Sequence, residues 1–182
     1  AIAYEKALKD KSRPTVILGL AGPLVAAGLR KVIADMIKFG IVDDIVTIGA
    51  IPYQDFNQAR GYNHYKCSPR CDDLALREVF VDRIYDTLVD EDKFRETDEY
   101  IGDIAGELEP RGYSSREFME ILGKAIDDED SILYNAAKYG VPVFVPALND
   151  SSIGIGLTGL YYKKRMADEP FMRIDPIRDN WE

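Results

Sequence analysis

The sequence predicts a single α/β domain over residues 1–182, with a mostly parallel sheet flanked by helices. Two observations carry that expectation. Three short apolar runs rich in β-branched residues read as buried strands, and amphipathic segments at helical spacing fill the intervals between them. At 182 residues the chain is long enough for one domain with a sizeable core and too short for two ordinary ones.

In chain order, Tyr4 to Lys11 reads as a short amphipathic helix ended by Ser12-Arg13-Pro14. Thr15-Val16-Ile17-Leu18-Gly19-Leu20 is a near-continuous apolar run, the pattern of a strand buried on both faces. After Ala21-Gly22, Pro23 is placed to open a helix. Leu24, Ala27, Val32, Ile33, Met36 and Ile37 then recur at helical spacing as far as Gly40, a C-terminal stop. Ile45-Val46-Thr47-Ile48 is the second strand. Strand, helix and strand within about 35 residues make a βαβ unit, whose crossover is expected to be right-handed.

Pro52 is expected to open a helix through Ala59, and Gly61 to Pro69 to form a loop holding Tyr62, His64 and Tyr65. Asp72 or Asp73 can cap a helix with the apolar face Leu74, Leu76, Val79, Phe80, Ile84 and Leu88. On that reading Asp82, Tyr85, Asp86 and Asp90 form its solvated acidic side. Glu91 to Leu108 carries Phe94, Tyr100, Ile101, Ile104 and Leu108 on one stripe. Ser114-Ser115-Arg116-Glu117 is a capping box. Ile132 to Tyr139 is a further helix stopped by Gly140. Val141 to Pro146 is the third strand, whose prolines suit strand ends or a sheet edge. Leu148 to Gly156 reads as a polar loop and Leu157 to Met166 as a helix. Asp175-Pro176 is a cap followed by proline at the first helical position. Six residues follow Pro176, and three strands are few for this length, so the fold is expected to be incomplete at its C-terminus.

A net charge of −9 argues against nucleic acid, whose binders neutralise phosphates with basic patches. It is compatible with a polycationic small molecule or a basic partner protein, and equally with a plainly solvated surface. No apolar run approaches the ~20 residues of a membrane span, and the N-terminus has no signal-peptide pattern. Two cysteines do not make a disulfide framework. A reduced, cytoplasmic protein is the expectation.

In an open α/β sheet, ligands bind beyond the carboxyl ends of the strands. Those ends are Gly19 to Gly22, Thr47 to Ala50, and Asn149 to Gly154. Glycines there admit a phosphate or ribose to the backbone, a helix start offers free N–H groups to an anion, and Asp150 can accept from a ribose or an ammonium group. The first loop is not G-x-G-x-x-G, so the residues alone are compatible with a nucleotide site and with plain turn chemistry. His64, Cys67 and Cys71 form H-x2-C-x3-C, three ligand types without a fourth. The expectation is two ordinary thiols, a hydrogen-bonded loop histidine and no metal. There is no Ser-His-acid signature.

Taken together, several segments resemble the deoxyhypusine synthase family, including its deoxyhypusine-synthase-like and homospermidine-synthase-like branches. They are Leu20-Ala21-Gly22-Pro23-Leu24-Val25-Ala26-Ala27-Gly28-Leu29-Arg30, Asp44-Ile45-Val46-Thr47 with Gly49-Ala50, and Asp72-Asp73 with Arg83-Ile84-Tyr85-Asp86. Ser115-Arg116-Glu117-Phe118, Gly140-Val141-Pro142-Val143 and Asp150-Ser151-Ser152-Ile153-Gly154 follow in the same order. The resemblance covers essentially the whole chain. It implies a Rossmann-like fold in a homo-oligomer with active sites between subunits. It also implies an NAD-dependent transferase that dehydrogenates spermidine, holds the aminobutyl group as an imine on a lysine, and passes it to a lysine of a translation factor or to another polyamine. NAD would take the hydride and the lysine would supply covalent catalysis. Gly22, Thr47, Gly49, Asp150 and Ser152 are the candidate cofactor-binding residues.

The departures are equally specific. The family's imine-forming lysine lies in a C-terminal segment, and no lysine of residues 1–182 matches its motif, so the catalytic role is given to none. Where the family usually reads Thr-Thr-Gly-Ala-Asn, with a His-Asp pair after it in one branch, this chain has Thr47-Ile48-Gly49-Ala50-Ile51 and Gln54-Asp55. A Gly-Ser-Pro tripeptide has become Cys67-Ser68-Pro69. Changes clustered in residues 48–71 predict a chain inactive by itself. The alternative is a non-catalytic or engineered scaffold that keeps the fold and an oligomer interface, with Ile48 and Ile51 available for contacts.

Overall fold

The computed structural model describes residues 2–182. Along the chain it forms α1 (Ile2–Lys9), β1 (Ile17–Leu20), α2 (Arg30–Lys38), β2 (Asp44–Thr47) and α3 (Ala50–Ala59). Next come β3 (Tyr65–Lys66), α4 (Asp73–Glu78), β4 (Val81–Ile84), β5 (Thr87–Asp90) and α5 (Glu91–Gly106). The remainder is β6 (Gly112–Tyr113), α6 (Ser115–Lys124), α7 (Ile132–Tyr139), β7 (Val143–Phe144), α8 (Ser152–Met166), β8 (Arg173–Ile174) and α9 (Pro176–Trp181). Among the described residues no helix is long and apolar enough to cross a membrane.

The α/β class follows directly from the pairing. β1, β2 and β7 form a parallel sheet in the order β1-β2-β7, with Leu18 opposite Ile45 and Ile45 opposite Val143. β6 and β8 make a second, short parallel pair. The core lies against one face of the main sheet. Ile45 and Val143 meet Ile51 and Phe56 of α3, Phe118 and Leu122 of α6, and Ile132 and Leu133 of α7 in one buried cluster. Helix ends are where the capping residues put them. Ser114 and Glu117 close the capping box, and Asp175 accepts from the Ile177 N–H with Pro176 at the first helical position. Gly40 and Gly140 take φ values of +64° and +71° at the ends of α2 and α7, a conformation glycine adopts without a Cβ penalty.

Four readings need correction. β1 is not buried on both faces. It is an edge strand and Ile17 is 62% exposed. Pro23 does not open α2. Residues 24–28 form a turn in which Gly28, at φ +88°, reverses the chain before Arg30. The long helix expected after Asp72 is a six-residue α4, capped as anticipated by Asp72, followed by a hairpin of β4 and β5. Arg83 sits opposite Leu88 there, Tyr65 and Lys66, expected in a loop, add β3 as a third antiparallel strand, and Tyr85 and Asp86 are the tip. The acidic stretch Asp82 to Asp90 is therefore strand and turn. Finally, residues 152–156 are already helical, so α8 starts five residues before Leu157.

Candidate functional site

The parallel register delivers three loops to one rim. β1 and β2 end side by side at Leu20 and Thr47, and β7 ends next to β2, so the segments after them emerge together. Gly22 sits in the first loop at φ +76°, and a Cβ built there would meet nothing within 4 Å. Thr47 is buried and donates its hydroxyl to the Ile48 carbonyl at 3.3 Å. Gly49 is in tight contact with the third loop: a Cβ on it would lie 2.3 Å from both Cβ and Oγ of Ser151. Ser151 caps α8, accepting from the Gly154 N–H at 3.4 Å and donating to the Leu148 carbonyl at 2.6 Å. Asp150 is exposed beside it, and Ser152 begins the helix half-buried.

Geometry thus joins Gly49 to the Ser151 turn and leaves Gly22 open nearby on the rim. A bare backbone at Gly22, an exposed carboxylate at Asp150 and the electropositive start of a fifteen-residue helix suit a ribose or a phosphate. Ser152 also serves the interior. Tyr53, buried on α3, donates to the Phe94 carbonyl at 2.9 Å. Burial chiefly, then the Asp98 carboxylate, push the Tyr53 pKa up, with Ser152 and Arg60 acting the other way. Burial also raises the Asp98 pKa. This Tyr53–Asp98 pair beneath the third loop was not foreseen, since residues 45 apart on different helices share no local pattern.

The altered positions are accounted for by packing. Ile51 is fully buried in the core, which corrects the idea that it serves an interface, whereas Ile48 is 41% exposed. Gln54 accepts from the Ala26 N–H at 3.1 Å and so ties α3 to the turn after β1. Asp55 anchors a buried network: it pairs with Arg30 Nε at 2.7 Å and accepts from Ser131 Oγ at 2.7 Å. It also accepts from the Ile132 and Leu133 N–H groups at 2.9 and 2.8 Å, at the electropositive start of α7. Arg30 bonds Asp128 as well, at 2.8 Å.

His64 is the hydrogen-bonded loop residue expected. The Gln58 side-chain amide lies 2.7 Å from its Nδ1, and Nε2 is a buried atom with no partner among the described residues. Cys67 and Cys71 are free thiols. Among the described residues no group of three His, Cys, Asp or Glu is placed to hold a metal ion. Burial, and then the charge of Arg30, lower the His64 pKa to about 4. The unfolded chain, at about 6.5, binds this proton more readily. Stability from neutral His64 is thus present above pH ~6.5 and is lost as pH falls toward 4. Urea midpoints at pH 7 and pH 5 are expected to differ more for the parent chain than for His64→Gln. Equal shifts would show that His64 is not the titrating group.

Fold and rim together define the class: a parallel α/β-sheet domain whose glycine-bearing loops gather at the carboxyl ends of its strands. The chain belongs to the deoxyhypusine synthase family, whose model matches residues 1–182. A deoxyhypusine synthase-like protein of Chlorobaculum tepidum is 46% identical over 176 residues, covering 94% of this chain and 49% of that one. Its counterpart from Chlorobaculum parvum is 49% identical over the same length and coverage, and one from Caulobacter vibrioides is 41% identical over 182 residues. The chain spans about half the length of the curated relatives it matches. The crystal structure of "a putative deoxyhypusine synthase from Entamoeba histolytica" superimposes with a TM-score of 0.67, covering 92% of this chain and 51% of that one. At 18% identity it supports the fold alone.

Proposed function

We propose that this chain is the cofactor-binding portion of an NAD-dependent aminobutyl transferase of the deoxyhypusine synthase type. The observation that carries the reading is the meeting of the second and third loops, Gly49 against Ser151, on the rim that also presents Gly22. In this reading Gly22, Thr47, Gly49, Asp150 and Ser152 hold the dinucleotide. Gly22 gives it a bare stretch of backbone, Asp150 accepts from a ribose hydroxyl, and the start of α8 faces a phosphate. Thr47 and Gly49 fix the second loop beneath it. Bound NAD supplies a hydride acceptor, and that chemistry is the cofactor's own. By family membership the amine donor is spermidine, and the acceptor is a lysine of a translation factor or a second polyamine. The working form is a cytoplasmic homo-oligomer. None of this chain's lysines is given the covalent role.

The test is NAD binding to the intact chain, followed by saturation-transfer NMR and calorimetry. Asp150→Ala is expected to weaken it about tenfold, since hydrogen bonds to charged groups contribute about 1.5–3 kcal/mol, without moving the unfolding midpoint. No binding, or binding indifferent to Asp150, would refute the cofactor reading. Spermidine-dependent formation of NADH and diaminopropane is the companion assay. No turnover even when a separately made C-terminal segment of the family is added would match the scaffold alternative, whereas turnover only with that segment supports the transferase reading.

A further inference from the structure

The H-x2-C-x3-C motif divides in the fold. His64 is turned to Gln58, and the two cysteines stand at either end of the link from β3 to α4. Cys67 directly follows β3. Its N–H donates to the Asp86 carbonyl at 2.7 Å, which prolongs the β3–β5 pairing by one bond. Cys71 directly precedes Asp72, whose carboxylate accepts from the Leu74 and Ala75 N–H groups and caps α4.

Between them Ser68-Pro69-Arg70-Cys71 is a β-turn. The Cys71 N–H donates to the Ser68 carbonyl at 3.3 Å and the Arg70 N–H to Ser68 Oγ at 3.2 Å. Serine at the first position and proline at the second are the residues such a turn favours. A β-turn holds its first and last Cα atoms within about 7 Å, so Cys67, one residue before it, is brought back beside Cys71. The two thiols act on each other. Burial chiefly, then a hydrogen bond with Cys71 and its charge, raise the Cys67 pKa, while Arg83 draws it down. Arg83 is paired with Asp73 of α4 at 2.6 and 2.7 Å, and its charge reaches both sulfurs. A fixed guanidinium is what favours a thiolate over a thiol. Every one of these contacts is made within residues 67–86, so the pairing is a local property of this segment.

We propose that Cys67 and Cys71 are a reversible dithiol site, which a low-molecular-weight disulfide such as glutathione disulfide oxidises to a bridge across the turn. One cysteine thiolate attacks a sulfur of the small disulfide and expels one small thiolate, leaving a mixed disulfide on the protein. The other cysteine thiolate attacks the protein sulfur of that mixed disulfide and expels the second. The two cysteine protons end on the two released thiolates. Two protein thiols and one small disulfide thus give one protein disulfide and two small thiols. The bridge ties the cap of α4 to the end of β3, in a chain with no other cysteine. The inference does not rest on the cofactor reading.

The intact chain, equilibrated in mixtures of reduced and oxidised glutathione and quenched by alkylation, tests it. Trypsin without reduction cuts after Lys66, Arg70 and Arg77. Peptides 67–70 and 71–77 are expected joined, at the sum of their masses less two hydrogens, and separated by dithiothreitol. Cys67→Ser and Cys71→Ser are expected to stop at the mixed glutathione disulfide. Repeating the titration in urea reads the contribution of the fold: the folded chain is expected to favour the bridge about tenfold more than the unfolded one. Pro69→Gly, which loosens the turn, is expected to narrow that difference. The proposal is overturned by disulfides between chains, or by a mixed disulfide as the end product of the parent chain. It is equally overturned by equal ease of oxidation in the folded and unfolded chain, by a difference that Pro69→Gly leaves intact, or by a bridge that forms only with loss of the native circular dichroism spectrum.

Discussion

Replacing Asp55 with alanine is expected to destabilise the fold by about 3–5 kcal/mol, the usual consequence of removing one partner from a buried charge pair. Asp55 is fully buried and accepts from Arg30, Ser131 Oγ and two N–H groups at the start of α7. The loss leaves Arg30, only 13% exposed at its side chain, with Asp128 and the backbone carbonyl of residue 55. It also removes the acceptor for donors that no solvent reaches. Urea denaturation of Asp55→Ala against the parent chain measures the effect, and Asp55→Asn, which keeps the shape and part of the hydrogen bonding, should lose less. A cost below about 1 kcal/mol for the alanine variant would mean that water enters and satisfies the network.

The second large effect is expected at Gly123. Here α6 crosses α7 so closely that a Cβ would lie 2.3 Å from the Leu133 carbonyl oxygen, 2.9 Å from its carbon and 3.0 Å from the Ala137 Cβ. Overpacking usually costs about 1–3 kcal/mol. The upper end applies to Gly123→Val, because the obstructing atoms are helix backbone and cannot rotate aside. Moving α7 away would also draw Ile132 and Leu133 off Asp55, so the two sites share one element and their effects should not add. Thermal unfolding of both single variants and the double variant checks this. A double variant whose loss equals the sum of the singles would separate the helix crossing from the charge network.

Much of this architecture could be read before any coordinates. The runs Ile17–Leu20 and Ile45–Thr47 and the stop at Gly40 announce the βαβ unit, because buried parallel strands need apolar residues and a helix must end before the next strand. The hairpin was hidden for a physical reason. Leu74, Leu76, Phe80, Ile84 and Leu88 fit a helical stripe as well as they fit strands, and the tip carries no glycine or asparagine. Tyr85, at φ +57°, and Phe80, at φ +54°, occupy the left-handed region without the residue that usually marks it. The start of α8 was read as loop because of Gly154 and Gly156. Both are helical glycines kept for close approach, to the Asn149 backbone and to the Asp98 carbonyl. At the candidate site the three loops were legible as the segments that follow the three apolar runs. The Arg30–Asp55–Asp128 network was not, since partners up to 98 residues apart have no shared periodicity.

The crossing of α8 and α5 has a mechanical meaning. Gly156 lets the two backbones touch at Asp98, and its own carbonyl lies 3.3 Å from where a Cβ on Gly102 would be. Two rods pressed together without side chains between them have no compliant layer in which to slide. The third loop of the rim is therefore mounted on a stiff post, and any opening of that loop has to bend in the few residues between Val145 and Ser151. The stiffness of the rim, on this account, is set at a pair of glycines that lie outside it.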